Sequence, residues 1–104
     1  MTDQPPAARN PNLAGTWRKI TTAECARKYP QTIAFAESTY RGTRGEGQAL
    51  IWWDAGIYRL EGEGTLLLSV ASDELVRYSV ALSADRLDVV DADGCRFSYQ
   101  REGR

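Results

Sequence analysis

Few side chains in this 104-residue sequence are suited to catalysis or to metal binding. Histidine, the commonest general base and metal ligand at neutral pH, is absent. Two cysteines without histidine argue against a metal site, and we expect neither a metal nor another cofactor. The sequence also contains no Gly-x-Ser-x-Gly turn and no phosphate-binding loop. The familiar catalytic patterns are missing, so a binding function is favoured over an enzymatic one.

Lys19 would be the most reactive residue of the chain if it lay inside an apolar core. Burial lowers the pKa of an amine, which can then act as a base or form a Schiff base. The alternative, which we favour, is that its aliphatic stem follows apolar surface and its ammonium reaches solvent at a rim. Strand alternation also points several aromatic side chains inward. The candidate ligand-binding residues are Lys19, Tyr40, Trp53, Tyr58, Tyr78 and Tyr99.

These candidate side chains are predicted to lie on short β-strands. Residues 1–12 are rich in proline, asparagine and alanine, which predicts a flexible N-terminal tail ahead of a single domain at 13–104. Short apolar and alternating runs predict strands at 13–21, 32–36, 39–43, 49–53, 57–60, 65–70, 74–83, 86–90 and 95–101. Turns of hairpin length separate most of these eight or nine strands. We therefore predict an all-β fold, an eight-stranded antiparallel up-and-down barrel.

The long connection after the first strand is expected to contain a short helix. Thr21 and Glu24 have the spacing of a capping box, in which each side chain satisfies a free backbone N–H group. The predicted helix covers residues 23–29. It ends before Pro30, because the residue before a proline avoids the helical conformation.

A meander of eight strands closes when its first and last strands pair. In an antiparallel pairing, Arg101 lies near Gly15 and Trp17. At the other end of the same pair, Cys95 lies near the residues just before Cys25. A disulfide between the two cysteines would close a long loop and stabilise the fold by about 4 kcal/mol. In the cytosol the same pair would be two buried reduced thiols, and both alternatives stay open.

The segment Gly15-Thr16-Trp17, together with Arg101 near the end of the last strand, resembles the pattern of the lipocalins and the wider calycin group. The resemblance implies a barrel whose floor is closed by the tryptophan, with the arginine packed across its ring in a cation–π contact. It implies that Gly15, Trp17 and Arg101 have a structural role. A ligand would then bind at the opposite end of the barrel.

The charge balance argues against two classes of partner. The formal net charge is -1 and charges of both signs are interspersed, whereas nucleic-acid binding calls for a basic face. No apolar run is long enough to span a bilayer, so we expect neither a nucleic-acid nor a membrane partner. The N-terminal residues lack the architecture of a signal peptide. We therefore expect a cytoplasmic location, or a periplasmic one if a signal was removed.

Two adjacent tryptophans, Trp52 and Trp53, lie on the strand predicted at 49–53. Alternation sends one of them inward and the other outward. The outward ring would form a partner surface or a lid over the barrel mouth. The alternative is that a neighbouring loop or strand covers it.

Three functions from different classes are compatible with these features. The leading one is a non-catalytic barrel that binds a small apolar or aromatic ligand, provided that the bulky inward side chains leave a pocket rather than a filled core. The second is a protein-binding barrel. The short barrel, the Gly-x-Trp strand and the cysteine pair are similar to a family of bacterial metalloprotease inhibitors, which implies that the tail at 1–12 blocks a protease. The third is a cofactor-free isomerase or cyclase with Lys19 in its site.

Overall fold

The computed structural model describes residues 13–49, 51–62, 64–69 and 74–102. The tail predicted at residues 1–12 lies outside the described residues. Within the described ranges, no helix is both long enough and apolar enough to cross a membrane.

Eight antiparallel strands form a closed barrel in chain order, and the last strand pairs with the first. The strands are β1 (Gly15–Lys19), β2 (Thr32–Phe35), β3 (Thr39–Thr43), β4 (Ala55–Glu61), β5 (Thr65–Ser69), β6 (Leu75–Leu82), β7 (Arg86–Val90) and β8 (Arg96–Arg101). Every neighbouring pair in this order is hydrogen-bonded. The predicted fold class, an eight-stranded up-and-down barrel, is confirmed.

Buried side chains line the interior of the barrel and alternate with outward polar ones along the strands. On β6, for example, Tyr78 and Val80 are buried while Arg77 and Ser79 are exposed. This alternation follows from the pleat, which turns successive side chains to opposite faces. The largest fully buried side chains are aromatic: Trp17, Trp53, Tyr29, Tyr99 and Phe97.

One end of the barrel, which we call the closed end, is sealed by Leu13, Trp17 and Arg101. Trp17 pairs with Arg101 across β1 and β8, and the guanidinium carbon lies 4.3 Å from the centre of the indole ring. The indole N–H donates to the Leu13 carbonyl oxygen over 2.8 Å. Arg101 donates to the carbonyl oxygens of Ala14 at 2.6 Å and Ala84 at 2.7 Å. The contact between Trp17 and Arg101 predicted from the sequence is therefore present.

Gly15 makes the approach of this arginine feasible. Its φ of 127° lies in a region that residues with side chains rarely adopt. A Cβ atom at this position would also come within 3.0 Å of a guanidinium nitrogen of Arg101. The Gly-x-Trp pattern thus has a local steric reason at its first position.

The strand predicted at 49–53 is wrong. The described residues of this segment form a loop, and β4 begins only at Ala55. A backbone group of this loop bonds outside the sheet: the Trp52 N–H donates to the Lys28 carbonyl oxygen over 2.8 Å. Gly42 of β3 lets the loop approach closely, since a Cβ there would lie 2.0 Å from the Trp53 carbonyl oxygen. The loop crosses the end of the barrel opposite the closed end.

The helix predicted at 23–29 is a five-residue 3₁₀ segment, η1 (Glu24–Lys28), and the predicted capping box is wrong. The N-cap residue is Ala23, which makes no side-chain cap bond. The Thr21 hydroxyl oxygen instead accepts a hydrogen bond from the Ser98 N–H at 2.8 Å. Because the last strand uses this hydroxyl, the threonine is not available to begin an α-helix.

Candidate functional site

The end of the barrel opposite the closed end carries most of the buried polar groups, and we call it the cap end. It is formed by η1, the described residues of 44–54 and the loop at 91–95. Several of the predicted ligand-binding residues, among them Lys19, Trp53 and Tyr78, contribute to it. The geometry of this end therefore decides what a site could hold.

The tyrosine hydroxyls predicted to face a ligand bond to the protein itself. Tyr99 donates to the Pro30 carbonyl oxygen at 2.6 Å, and Tyr58 to the Ala36 carbonyl oxygen at 2.5 Å. Tyr40 donates to the carbonyl oxygen of Ser69. Burial raises the pKa of Tyr99 well above its ordinary value. These side chains thus act as structural hydrogen-bond donors that tie strands and loops together.

The aromatic rings at the cap end pack against one another. Tyr29 stacks on Phe97 with ring centres 4.0 Å apart, and it meets Trp53 edge-on at 5.0 Å. The Trp53 indole N–H donates to the Tyr78 hydroxyl oxygen at 3.1 Å. Trp53 has no solvent-accessible surface, so no void large enough for a water adjoins its side chain. The rings fill this part of the interior.

Tyr29 is a core residue that the sequence reasoning missed. It was predicted at the end of a helix, but it enters the barrel and is fully buried. Its hydroxyl donates to a carboxylate oxygen of Asp91 at 2.7 Å. The available signal was a large aromatic residue directly before Pro30, in a segment that has to cover an open barrel end.

Asp91 anchors the loop before β8. One of its carboxylate oxygens accepts hydrogen bonds from the N–H groups of Asp93 and Cys95, each at 2.9 Å, and the Lys28 ammonium lies 3.8 Å from the other. Burial by itself raises the pKa of Asp91. The bonds from Tyr29 and the two N–H groups, with the nearby Lys28 charge, outweigh burial and lower that pKa below its ordinary value.

Lys19 does not reach solvent at a rim, and that prediction is wrong. The residue is only 8% exposed. Its ammonium donates to the carbonyl oxygens of Ala26 at 2.6 Å and Tyr29 at 2.8 Å. Burial lowers the pKa of this amine. Among the described residues, no carboxylate forms an ion pair with it.

Lys19 lies at the base of a surface groove with a volume of about 390 Å³. The walls come from β1 and its following segment, from η1, from the start of β2 and from the loop after β3. The lining residues are Lys19, Thr21, Thr22, Ala23, Arg27, Gln31, Gly45, Glu46, Gly47 and Gln48. Of the predicted ligand-binding residues, Lys19 alone lines this groove, and Tyr40, Trp53, Tyr58, Tyr78 and Tyr99 lie elsewhere.

Gln48 fixes one wall of this groove to the other. Its amide nitrogen donates to the carbonyl oxygens of Arg27 at 2.9 Å and Tyr29 at 2.5 Å, and its side-chain oxygen accepts from the Gly45 N–H at 2.7 Å. The Tyr29 carbonyl therefore accepts from both Gln48 and Lys19. Hydrogen bonds from Lys19 of β1 and from Gln48 of the facing loop therefore both hold the segment at Arg27 and Tyr29 in place.

A disulfide joins Cys25 of η1 to Cys95, which precedes β8. Cys95 is buried whereas Cys25 is exposed. The bond closes a loop with a sequence separation of 70 residues, for which loop-closure entropy gives a stabilisation of about 4 kcal/mol. The predicted proximity of the two cysteines is present, and η1 is covalently attached to the barrel.

The two adjacent tryptophans face in opposite directions, as alternation predicted, although they lie on a loop. Trp53 is fully buried and Trp52 is 48% exposed. The Lys28 ammonium lies 4.4 Å from the centre of the Trp52 ring. The cap end therefore presents one large aromatic group, with a cation beside it, to solvent.

The chain matches no protein-family model, no curated protein and no solved structure. The lipocalin resemblance of Gly15, Trp17 and Arg101 stays a prediction. Within the described part of the chain, no three His, Cys, Asp or Glu side chains are grouped so that they could hold a metal ion. The groove over Lys19 is the arrangement that could bind a ligand or take part in a reaction.

Proposed function

We propose that this protein is a non-catalytic binding protein for a small, partly apolar molecule, and that the ligand lies in the groove over Lys19. The observation that carries the proposal is a buried ammonium at the base of that groove, without a carboxylate partner among the described residues. Small-ligand sites are typically concave and combine apolar walls with a few fixed polar groups. The groove supplies several fixed polar groups, and its apolar surface comes from Ala23, the glycines and the methyl groups of two threonines.

The rigidity of the groove supports binding. Lys19 emerges from a paired strand, and its ammonium is held by two carbonyl oxygens. The facing loop is fixed by Gln48. A site whose groups are already positioned loses less conformational entropy when a ligand binds.

The environment of Lys19 favours binding over catalysis. Both of its hydrogen-bond partners are main-chain carbonyl oxygens, which neither accept nor supply a proton in a reaction. General acid–base catalysis requires a titratable partner or a substrate proton within reach. An isomerase or cyclase activity stays the least favoured of the three functions.

The test is a nuclear magnetic resonance titration with a library of small fragments, following the backbone amide signals. We expect bound fragments to shift the amides of residues 21–23 and 45–48. The variant Lys19→Met should lose these shifts, whereas Lys28→Met, which alters the other lysine of the chain outside this groove, should keep them. Thr22 is exposed and lines the groove, so we expect Thr22→Val to keep the fold and to alter the fragment-induced shifts. Shifts confined to the barrel interior would overturn the proposal.

A protein-binding function is the second candidate, and the exposed Trp52 ring favours it. Large aromatic groups beside a cation are common anchors of protein interfaces. We expect a functional interface to lose at least about tenfold in affinity in Trp52→Ala. The assay is inhibition of a panel of metalloproteases by the full chain, by Trp52→Ala and by a chain without residues 1–12. If none of the three proteins inhibits any protease of the panel, the protein-binding function is ruled out.

The disulfide favours an oxidising compartment over the cytoplasm, where most thiols are kept reduced. The test is alkylation of protein taken from its native cells without a reductant. We expect Cys25 and Cys95 to resist labelling. Full labelling of both would instead support the cytoplasmic location.

A further inference from the structure

We infer that the ligand of the groove is a small molecule with a single carboxylate, which pairs with the Lys19 ammonium and the Arg27 guanidinium. This inference rests on the proposed function and names its ligand class. It is carried by the charges that line the groove and by the partners that those charges have within the protein.

The Lys19 ammonium has more hydrogen-bonding capacity than the described residues use. It carries three N–H donors, and it donates to the carbonyl oxygens of Ala26 and Tyr29. Carbonyl oxygens satisfy donors but do not neutralise the charge. A buried cation is ordinarily paired with an anion, because removing it from water is costly. The third donor and the charge are therefore both available to a ligand.

Lys28 is an example of a cation that is neutralised by carboxylates of the protein itself. Its ammonium lies 3.8 Å from Asp91 and 4.0 Å from Asp93. Lys28 is only partly buried, and Lys19 is buried more deeply. The more buried of the two lysines thus lacks a carboxylate within the described ranges, while the less buried one has two.

Arg27 supplies a second cation on the wall of the same groove. It is exposed, and none of the described acidic side chains forms an ion pair with it. Its backbone is fixed, since its carbonyl oxygen accepts from Gln48 at 2.9 Å. A guanidinium matches the two oxygens of a carboxylate in a bidentate arrangement. Because both cations line the same groove, we expect one ligand carboxylate to contact both.

Glu46 favours a ligand with one negative charge rather than two. It lines the groove together with the two cations, so the three charged lining residues sum to +1. A single negative charge balances this sum, whereas a second one would be repelled by Glu46. The methyl groups of Ala23 and of two threonines provide apolar contact for the rest of the molecule.

The test compares acids with their neutral amides of nearly the same shape: benzoate with benzamide, and hexanoate with hexanamide. Binding to the wild-type chain is followed by the amide signals of residues 21–23 and 45–48 near neutral pH. We expect each acid to bind at least about tenfold more tightly than its amide, since charge-assisted hydrogen bonds are the stronger ones.

Charge variants locate the effect in the groove. Arg27→Gln should weaken binding of the acids about threefold, and Glu46→Gln should strengthen it about threefold, with no change for the amides. Arg41→Gln and Glu37→Gln change exposed residues that do not line the groove, and they should leave both ligand types unchanged. None of these four exposed side chains is part of the core.

The outcomes separate the two proposals. If the amides bind in the groove as tightly as the acids, the carboxylate inference is overturned while the proposed function stands. If acids bind preferentially but the Arg27 and Glu46 variants behave like their controls, the inference is overturned as well. If no fragment shifts the groove amides, both proposals fail.

Discussion

The two ends of the barrel are sealed in different ways. At the closed end, a tryptophan and an arginine that pair across β1 and β8 meet directly, and their remaining donors bond to nearby main-chain oxygens. At the cap end, η1 and the loop before β4 are laid across the opening and are held by a disulfide, a buried lysine and a buried carboxylate. Strand pairing alone brings the residues of the closed end together. The cap end depends on groups that respond to redox state and pH.

This difference explains where the candidate site lies. The closed end consists of apolar surface and satisfied hydrogen bonds, and its cation already has a ring partner. At the cap end, the Lys19 ammonium donates to two carbonyl oxygens of the segment that covers the barrel, and it has no carboxylate partner among the described residues. Regions held by inserted segments commonly carry function, since loops tolerate groups that a packed core does not.

The largest expected effect comes from breaking the disulfide. Reduction, or the double change of Cys25→Ser with Cys95→Ser, should lower the free energy of unfolding by about 4 kcal/mol, because the unfolded chain regains its loop entropy. Urea unfolding with and without a reductant measures this loss.

Hydrogen exchange on the reduced protein measures the stability of each end separately. We expect the amides of Tyr29 and Trp52, which bond within the cap end, to lose protection first. The amide of Glu102, which donates to the Thr16 carbonyl oxygen at the closed end, should keep its protection. Uniform loss at both ends would show that the two seals are not independent.

The second effect lies at the closed end. Trp17→Phe removes the indole donor to Leu13 and reduces the contact with Arg101. We expect a loss of about 2 kcal/mol in the free energy of unfolding, from the lost hydrogen bond and the small cavity. Urea unfolding should give this value in both the oxidised and the reduced protein. A loss that depends on the disulfide would contradict the separation of the two ends.

The third effect is a sensitivity of the cap end to acid. Because the pKa of Asp91 is lower in the folded than in the unfolded chain, its ionisation stabilises the fold. The stabilisation is complete above the ordinary value of 3.8 and is lost as the pH falls through the lowered folded value. Asp91→Asn should therefore cost about 1 kcal/mol at neutral pH and remove part of the acid sensitivity.

The control for this acid effect is Asp93→Asn, since the side chain of Asp93 is 82% exposed. Unfolding curves between pH 2 and pH 7 (on the order of one per pH unit) compare the two variants with the wild type. Equal behaviour of the two variants would mean that the Tyr29–Asp91 contact does not carry the effect.

The closed end was predictable from the sequence because it depends on strand pairing and on the alternation of side chains. Gly15, Trp17 and Arg101 lie on strands whose alternation and pairing follow from simple rules, and one register brings them together. The same register placed Cys95 near Cys25. These predictions needed no knowledge of how loops fold.

The cap end was not predictable in the same way. The loop with Trp53 has the apolar pattern of a strand, and only the tertiary position of Gly42 and Lys28 shows that it crosses the barrel end. The two carbonyl acceptors that keep Lys19 buried come from a segment predicted to be helical. The last carbonyl groups of a helix have no partner within it, so these acceptors were open to a side chain, but the sequence does not show that the segment lies over Lys19.

The smallest expected effect on stability is that of Trp52→Ala. The ring is half exposed and contacts Lys28 and the edge of Tyr29, so its removal should cost less than about 1 kcal/mol, the size of an exposed cation–π contact. Urea unfolding measures this cost, and Trp52→Phe, which keeps an aromatic face over the cation, should recover most of it. A cost of several kcal/mol would instead make Trp52 part of the seal at the cap end and remove it as a surface for partners. A small cost would mean that the fold does not need the exposed Trp52 ring. A loss of partner binding in the same variant would then come from the interface and not from unfolding.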